Sequence, residues 1–387
     1  MKYIAIKDAY NIRKGKKVIV SDCKTETSIR NIQIGDLRNN DLIKYCEPNI
    51  KYVLAKKDDI LIAWDGANAG TIGFHLEGAI GSTLAKLTPK HNGLFYTPFI
   101  GYYLQTKFNY FQNTASGATI PHISKKSLES LKLPIISMEK QKKIVNYIQE
   151  TKYLINNVNY QIQLLDELEE SLFIEMFGDP VKNTKNFNKE KLKYVASKIG
   201  SGATPRGGNS TYQISGISLI RSMNVHNNYF SSKGLAYLND EQAGKLSNVI
   251  VKSGDILLNI TGASVARTCI INDQFLPARV NQHVAIIRCN NEKINNIFLN
   301  RQLTCYYYQL YLIGIATSGG ATREAITKKQ LENLKIIIPP IDLQNEFAKK
   351  IEKIEEIKKQ SQKSLKYYEE LYETLLYKAF NGELFKE

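Results

Sequence analysis

One passage of this sequence occurs twice, 203 positions apart: SGATIPHISKKSLESLKLPII begins at Ser116 and GGATREAITKKQLENLKIIIP at Gly319. Over their first 17 positions they share ten identities, among them Gly117/Gly320, Lys125/Lys328, Lys126/Lys329, Leu128/Leu331 and Leu131/Leu334. A duplication constrains architecture more than any local propensity, because it asks for two copies of one structural unit. Further anchors extend the match. Ile32 with Asp36 is similar to Ile220 with Asn224, Asp59-Ile60-Leu61 to Asp255-Ile256-Leu257, Gly66-Ala67 to Gly262-Ala263, and the segment from Ala79 to that from Arg279. The separation grows along the chain from 188 to 196, 200 and 203. There it stops: Gln141, Ile144 and Ile148 pair with Gln344, Phe347 and Ile351, all at 203. Each copy thus has a front of variable length and a back of fixed length. Insertions are tolerated in loops and not inside a packed helix.

The fronts read as strand-rich modules. DDILIAW, GDILLNI, VAIIRC and LKIIIP are short apolar runs bounded by turn residues, with Gly/Ser/Asn/Thr-rich loops such as SGATPRGGNS between them. The backs read as long helices. Residues 137–177 contain no Gly or Pro, and Ile144, Ile148, Ile155, Val158, Ile162, Leu165, Leu168 and Leu172 recur at steps of three, four and seven. The second back carries Leu343, Phe347, Ile351, Ile354, Ile357, Leu365, Tyr368, Leu371 and Leu375. These are seams of coiled-coil type. Helices of ~40 residues would be ~60 Å long, and neither can bury its stripe alone. Both follow equivalent modules in one chain, which favours packing against each other over dimerisation between chains.

Charge and motifs narrow the function. Lys and Arg number 52 against 37 Asp and Glu, a net +15, which by composition alone fits a polyanionic partner such as nucleic acid or a merely solvated basic surface. The five cysteines form no CxxC pair and the five histidines no HxxxH, so buried free thiols are expected rather than zinc or disulfides. No run of 18 apolar residues and no signal-like start occurs, so no membrane span and a cytoplasmic location are expected. There is no P-loop, no dinucleotide fingerprint, no GxSxG and no Asn/Asp-Pro-Pro-Tyr/Phe loop. Asp59 and Asp255 recur between the copies. Each sits at a strand start, where a turn-closing Asp is more routine than a nuclease carboxylate.

What remains is recognition. Arg suits guanine, Asn and Gln suit adenine, and Lys suits phosphate. DNA-binding candidates in the first front are Arg13, Lys14, Lys16, Asn31, Asp36, Asp65, Asn68 and Thr119; in the second they are Thr204, Arg206, Asn209, Arg221, Asn224, Thr261, Arg267, Gln282 and Arg323. Two other classes stay open from the residues alone. One is a free-standing nuclease or methyltransferase with degenerate motifs; the other is an adaptor whose coiled coil joins proteins.

Several signatures carry a family resemblance across nearly the whole chain. They are Gly202, Thr204 and Pro205 of SGATPRGG, the segment SGISLIRSMNV, Gly254-Asp255-Ile256-Leu257, and Val280-Asn281-Gln282-His283 read as a core strand motif. To these are added the Pro-containing lead-ins LPIISMEKQKKIV and IPPIDLQNEFAKKI, and the helix ends LFIEMFGDP and LLYKAFNGEL. Together they resemble the specificity subunit of type I restriction–modification systems. The first module departs from the pattern, carrying Arg13-Lys14-Gly15-Lys16 where Gly-x-Thr-Pro would stand.

The resemblance implies an α+β chain with two mixed α/β target recognition domains in pseudo-two-fold arrangement, separated by two long antiparallel coiled-coil helices. The segments would be a first recognition domain at 1–136, a central helix at 137–178, a second recognition domain at 179–340 and a C-terminal helix at 341–387. It further implies a non-catalytic subunit with no cofactor of its own. Each domain would bind one half of a split double-stranded DNA target. The helices would set the gap and dock two modification subunits that bring S-adenosylmethionine and methylate adenine. Restriction subunits would add translocation and cleavage with ATP and magnesium. Expected at helix packing or partner contact are Ile144, Ile148, Ile155, Val158, Ile162, Leu165, Leu172, Phe347, Ile351, Ile354, Leu365, Leu371 and Leu375.

Overall fold

A computed structural model describes residues 2–21, 24–91, 93–117, 120–205, 207–318 and 324–384, with the side chain of Asn209 left aside. The first front comprises β1 (Lys2–Ala5), α1 (Ile6–Ala9), β2 (Tyr10–Lys14), β3 (Ile29–Ile32), β4 (Lys44–Cys46), β5 (Val53–Ala55), β6 (Ile60–Ala63), β7 (Ile72–Phe74), β8 (Gly78–Ile80), β9 (Leu84–Pro89), α2 (Thr97–Gln105), α3 (Phe108–Asn113), α4 (Lys125–Ser130) and β10 (Lys132–Ile135). The long helix α5 (Met138–Phe177) follows. The second front comprises β11 (Asn188–Lys191), α6 (Leu192–Val195), β12 (Ala196–Ser201), β13 (Ile217–Ile220), β14 (Val225–His226), β15 (Tyr229–Phe230), β16 (Ala236–Leu238), α7 (Asp240–Gly244), β17 (Ile250–Val251), β18 (Ile256–Asn259), β19 (Thr268–Ile270), β20 (Ala278–Val280), β21 (Val284–Cys289), α8 (Asn296–Thr304), α9 (Tyr306–Thr317), α10 (Lys328–Glu332) and β22 (Lys335–Ile338). The second long helix, α11 (Ile341–Phe380), closes the order.

The duplication is topological as well as sequential. The first front holds sheets β2-β9-β6-β7 and β4-β3-β8-β5 and the pair β1-β10; the second holds β12-β21-β18-β19, β16-β13-β20-β17 and β11-β22. Even the parallel pairing recurs, with Ile32 opposite Ile80 and Ile220 opposite Val280. The hairpin β14-β15 belongs to the second front alone among the described residues. Central strands read as unbroken apolar runs because both faces are covered. Ile60 and Ile62 enter one core while Leu61 and Ala63 enter another; Ile256 and Leu258 part from Leu257 in the same way.

Contacts divide the chain into two compact units, Met1–Asn159 with Lys363–Glu387 and Tyr160–Gln362. The four segments read from the sequence are thereby regrouped, each unit taking part of both long helices. In unit 1 the first turns of α5 (Ile144, Val145, Ile148) share a core with the last turns of α11 (Leu375, Ala379, Phe380). In unit 2 the last turns of α5 (Phe173, Phe177) share a core with the first turns of α11 (Phe347, Ile351, Ile354). Within each unit the helices therefore run antiparallel. Phe380 packs 5.5 Å from Phe99, and Phe177 packs 4.7 Å from Phe298, measured between ring centroids. Both pairs come from equivalent places in the repeat.

The paired glutamines explain why both fixed backs begin alike. Gln141 and Gln344 are fully buried. The Gln141 side chain accepts from Tyr96 N at 2.8 Å and donates to Leu94 O and Ile136 O. Gln344 accepts from Asn295 N at 2.9 Å and donates to Pro339 O. Each amide staples a helix start to its own module, leaving no donor or acceptor stranded.

The helix seams differ from expectation in phase. Leu371, 39% exposed, lies off the packed face, as do Leu168 and Ile357; Tyr372, Glu169 and Lys358 turn inward instead, while Leu375 is buried as its place in the seam predicts. Ile155, Val158, Ile162, Leu165, Leu172 and Leu365 are half-buried, as a helix flank is. The packed face also carries buried Thr151 and Ser361. Apolar spacing alone misses such polar positions, since a hydroxyl can return a hydrogen bond to its own helix, as Thr151 does to Tyr147 O at 2.8 Å.

Candidate nucleic-acid interface

The loop after β6 and the loop before α4 are tied by main-chain bonds in unit 1. Gly66 N donates to Pro121 O at 2.9 Å and Ile123 N donates to Trp64 O at 2.9 Å. Unit 2 repeats the clasp: Gly262 N donates to Glu324 O at 2.9 Å and Ile326 N to Ile260 O at 2.8 Å. Gly66 and Gly262 hold φ of +94° and +74°, a left-handed conformation that explains why glycine recurs there.

The clasps present unlike side chains. In unit 1, Asp65 accepts from Lys14 Nζ at 2.7 Å and lies 3.0 Å from His122 Nδ1, and the Lys14 ammonium sits 5.9 Å from the centre of the Trp64 ring. In unit 2 the set holds no Lys or Asp. Thr204 donates to Gln282 Oε1, the Gln282 amide donates to His283 Nε2 at 3.1 Å, and His283 Nδ1 meets Thr261 Oγ1 at 2.5 Å. An open cleft of about 770 Å³ lies here, lined by Ser222, Met223, Ser264, Arg267, His283 and Glu324.

Lys14, Asp65, Thr204, Thr261, Arg267 and Gln282 are thus gathered at the clasps. Gly202 of the Gly-Ala-Thr-Pro lead-in has a role here: a Cβ on it would overlap the Val280 carbonyl oxygen. Asn68 is exposed and accepts from Arg38 Nη2 at 2.9 Å. Arg13 and Lys16 are exposed, and Arg13 points to the opposite sheet face from its neighbour Lys14. Arg221 is half-buried over the Tyr212 ring, with Nη2 donating to Gly234 O. Thr119, Arg206 and Arg323, and the side chain of Asn209, lie outside the described residues.

Three candidates are corrected. Asn31, 1% exposed, lies inside its sheet between β4 and β8 and cannot reach a ligand. Asn224 is fully buried; it accepts from Arg221 N at 3.0 Å and donates to Ser231 O at 2.9 Å, closing its own turn. Asp36 is the equivalent residue and does the same work, accepting from Gln33 N at 2.5 Å. Val280-Asn281-Gln282-His283 is also reassigned: Val280 ends β20, and the rest is the turn into β21, with Asn281 Oδ1 accepting from His283 N. His122 and His283 are absent from the candidate contacts read from the sequence, since a lone histidine carries no metal or catalytic spacing. Their partners lie 57 and 22 positions away.

The recurring aspartates are structural. Asp59, 2% exposed, accepts from Lys86 Nζ at 2.9 Å, Thr88 Oγ1 at 2.5 Å and Lys56 N at 2.9 Å. Asp255, fully buried, accepts from Arg288 Nε at 2.8 Å, Arg288 Nη2 at 2.7 Å and Lys252 N at 2.7 Å. Among the described residues no group of three or more His, Cys, Asp or Glu is placed to hold a metal. No described helix is long and apolar enough to cross a membrane. Cys46, Cys269, Cys289 and Cys305 are buried free thiols, and burial pushes the last three up to about 12.

The family model for the type I restriction modification DNA specificity domain matches residues 1–170 and 182–367. The type I restriction enzyme MjaVIII specificity subunit of Methanocaldococcus jannaschii is 26% identical over 367 residues, covering 92% of this chain and 86% of the relative. The EcoBI specificity subunit of Escherichia coli is 22% identical over 360 residues, covering 84% and 74%. Among solved structures, the type I S subunit from M. genitalium superposes with a TM-score of 0.64 at 16% identity, covering 98% of this chain and 96% of that one. A chain from a type I system studied for complex assembly gives 0.56 at 16% identity, covering 99% and 98%. With the family model matched over both fronts and a relative of that family aligned along 92% of the chain, the chain belongs to the type I restriction–modification DNA specificity family, whose specificity subunits are DNA-recognition and not catalytic subunits.

Proposed function

We propose that each module binds one half of a split double-stranded DNA target, and that the long helices set the gap between the halves. The observation that carries this reading is one backbone clasp presented twice with unlike side chains: Lys14, Asp65 and His122 in one, Thr204, Gln282, His283 and Thr261 in the other. Equal backbones place the reading groups alike. Unequal side chains select different bases, since donor and acceptor patterns specify sequence.

The helices also dock two modification subunits, which bring S-adenosylmethionine and methylate adenine, and restriction subunits with ATP and magnesium complete the assembly. The chain works in the cytoplasm. Methylation-site sequencing of a host carrying the complete operon tests the first claim. Two unlike half-sites at fixed separation are expected, and a single undivided motif would refute it. Inserting about four residues, one helical turn of ~6 Å, into both long helices should shift the preferred gap. Unchanged spacing would refute the ruler.

A further inference from the structure

A cavity of about 530 Å³ in unit 2 lies between α5, α11, α8 and the β14-β15 hairpin. Four carboxylates border it, Asp166, Glu169, Glu170 and Glu355, against two cations, Arg301 and Lys358. Those cations are already committed. Arg301 Nη2 binds Glu355 Oε1 at 2.6 Å, and Lys358 Nζ binds Asp166 Oδ1. Glu169, only 4% exposed, forms an ion pair from Oε2 to Arg301 Nη1 at 3.0 Å with the Glu355 carboxyl beside it, and neither its Oε1 nor Arg301 Nη1 has a hydrogen-bond partner among the described residues. A buried carboxylate oxygen without a donor is costly. Consistently, burial pushes Glu169 up to about 7.

The network is not a requirement of the repeated scaffold. The equivalent positions in unit 1 hold Tyr372 for Glu169, Lys152 for Glu355 and Tyr102 for Arg301. There the Lys152 ammonium lies 5.8 Å from the Tyr102 ring, and Tyr372 packs against the unit 1 core. Buried ion pairs are also poor stabilisers relative to well-packed side chains, so a surplus of carboxylates at one joint calls for another explanation. The lining names the missing group. The carboxylates ask for a hydrogen-bond-donating cation. Ile162 and Phe173 offer apolar wall for methylenes, and Tyr229 adds an aromatic ring. The absence of a metal-binding group among the described residues argues against a bare divalent ion.

We propose that this cavity binds an alkylammonium group, supplied by a free polyamine or by a lysine side chain of a partner subunit. The free-amine arm does not rest on the DNA-recognition reading. Spermidine is titrated into the full chain by calorimetry, and assembly with the modification subunit is followed by sedimentation. Saturable binding of one spermidine per chain, weakened at least tenfold by Glu169→Gln and not competed by magnesium at equal ionic strength, supports the site with a free amine. No spermidine binding, but assembly weakened at least tenfold by Glu169→Gln, supports a partner lysine. Glu169→Gln leaving both measurements unchanged overturns the proposal. Gln362→Lys, which adds an ammonium from the cavity wall, keeps the test decisive should Glu169→Gln fail to fold. It should raise the Tm and weaken spermidine binding or assembly tenfold, and no change in either would overturn the site.

Discussion

Replacing Asp255 by alanine distinguishes a structural carboxylate from a functional one. Asp255 is fully buried and collects three short hydrogen bonds, two from the Arg288 guanidinium and one from the Lys252 amide. The substitution strands Arg288, whose side chain is only 23% exposed, with the Ile250 carbonyl as its remaining partner. It also unties the turn that aims β18 into the sheet. Breaking one side of a buried charge pair costs about 3–5 kcal/mol. In a unit of about 200 residues each kcal/mol shifts Tm by about 2–4 °C, so a fall of roughly 6–20 °C is expected. Differential scanning calorimetry of the full chain measures it, with methylation by the assembled complex, assayed below the new Tm, as the second readout. Folded chains should still support methylation. A chain whose Tm stays within about 2 °C of the parent while methylation disappears would refute the reasoning and return Asp255 to the functional site.

Other outcomes follow from the same contacts. Phe177→Ala removes a fully buried ring packed on Phe173, Phe298 and Phe347; it should cost about 3–5 kcal/mol in urea denaturation. Burial raises Glu169 from its ordinary 4.5 to about 7, so the folded chain keeps a proton that the unfolded chain sheds. That stability is fully present below about pH 4.5 and is lost as pH rises through about 7, by on the order of 2–3 kcal/mol, and a Glu169→Gln chain should show a flatter profile over that window. Lys14→Met should weaken DNA binding and lower the slope of log K against log salt by about one phosphate contact, read by fluorescence anisotropy; an unchanged slope would remove Lys14 from phosphate contact.

Much of the fold was legible in the sequence, because the repeat registers what local patterns encode. The shared DIL runs became β6 and β18, each buried on both faces, and the Gly/Pro-free stretches became α5 and α11. The turn-closing reading of Asp59 and Asp255 rested on position alone, and the bonds from Lys56 N and Lys252 N agree with it. Seam phase was less legible. Leu168, Ile357 and Leu371 fit the apolar period yet are exposed, while Glu169 and Lys358 turn inward because each finds an opposite charge there.

The site divides along the same line. Its glycines and loops could be marked from sequence, since a left-handed φ or a close backbone approach leaves a local trace, as at Gly66, Gly262 and Gly202. Which side chains meet could not. Asn31 and Asn224 carry the right chemistry for reading adenine, and packing buries both. Nothing local to His122 or His283 names their partners, and the clasp brings them to Asp65 and Thr261. By itself the sequence determined that this chain is one module and one long helix written twice, because periodicity and backbone conformation are properties of neighbours along the chain. Only the tertiary structure decided which polar groups face outward together, because burial and hydrogen-bond partnership are set by residues tens of positions apart.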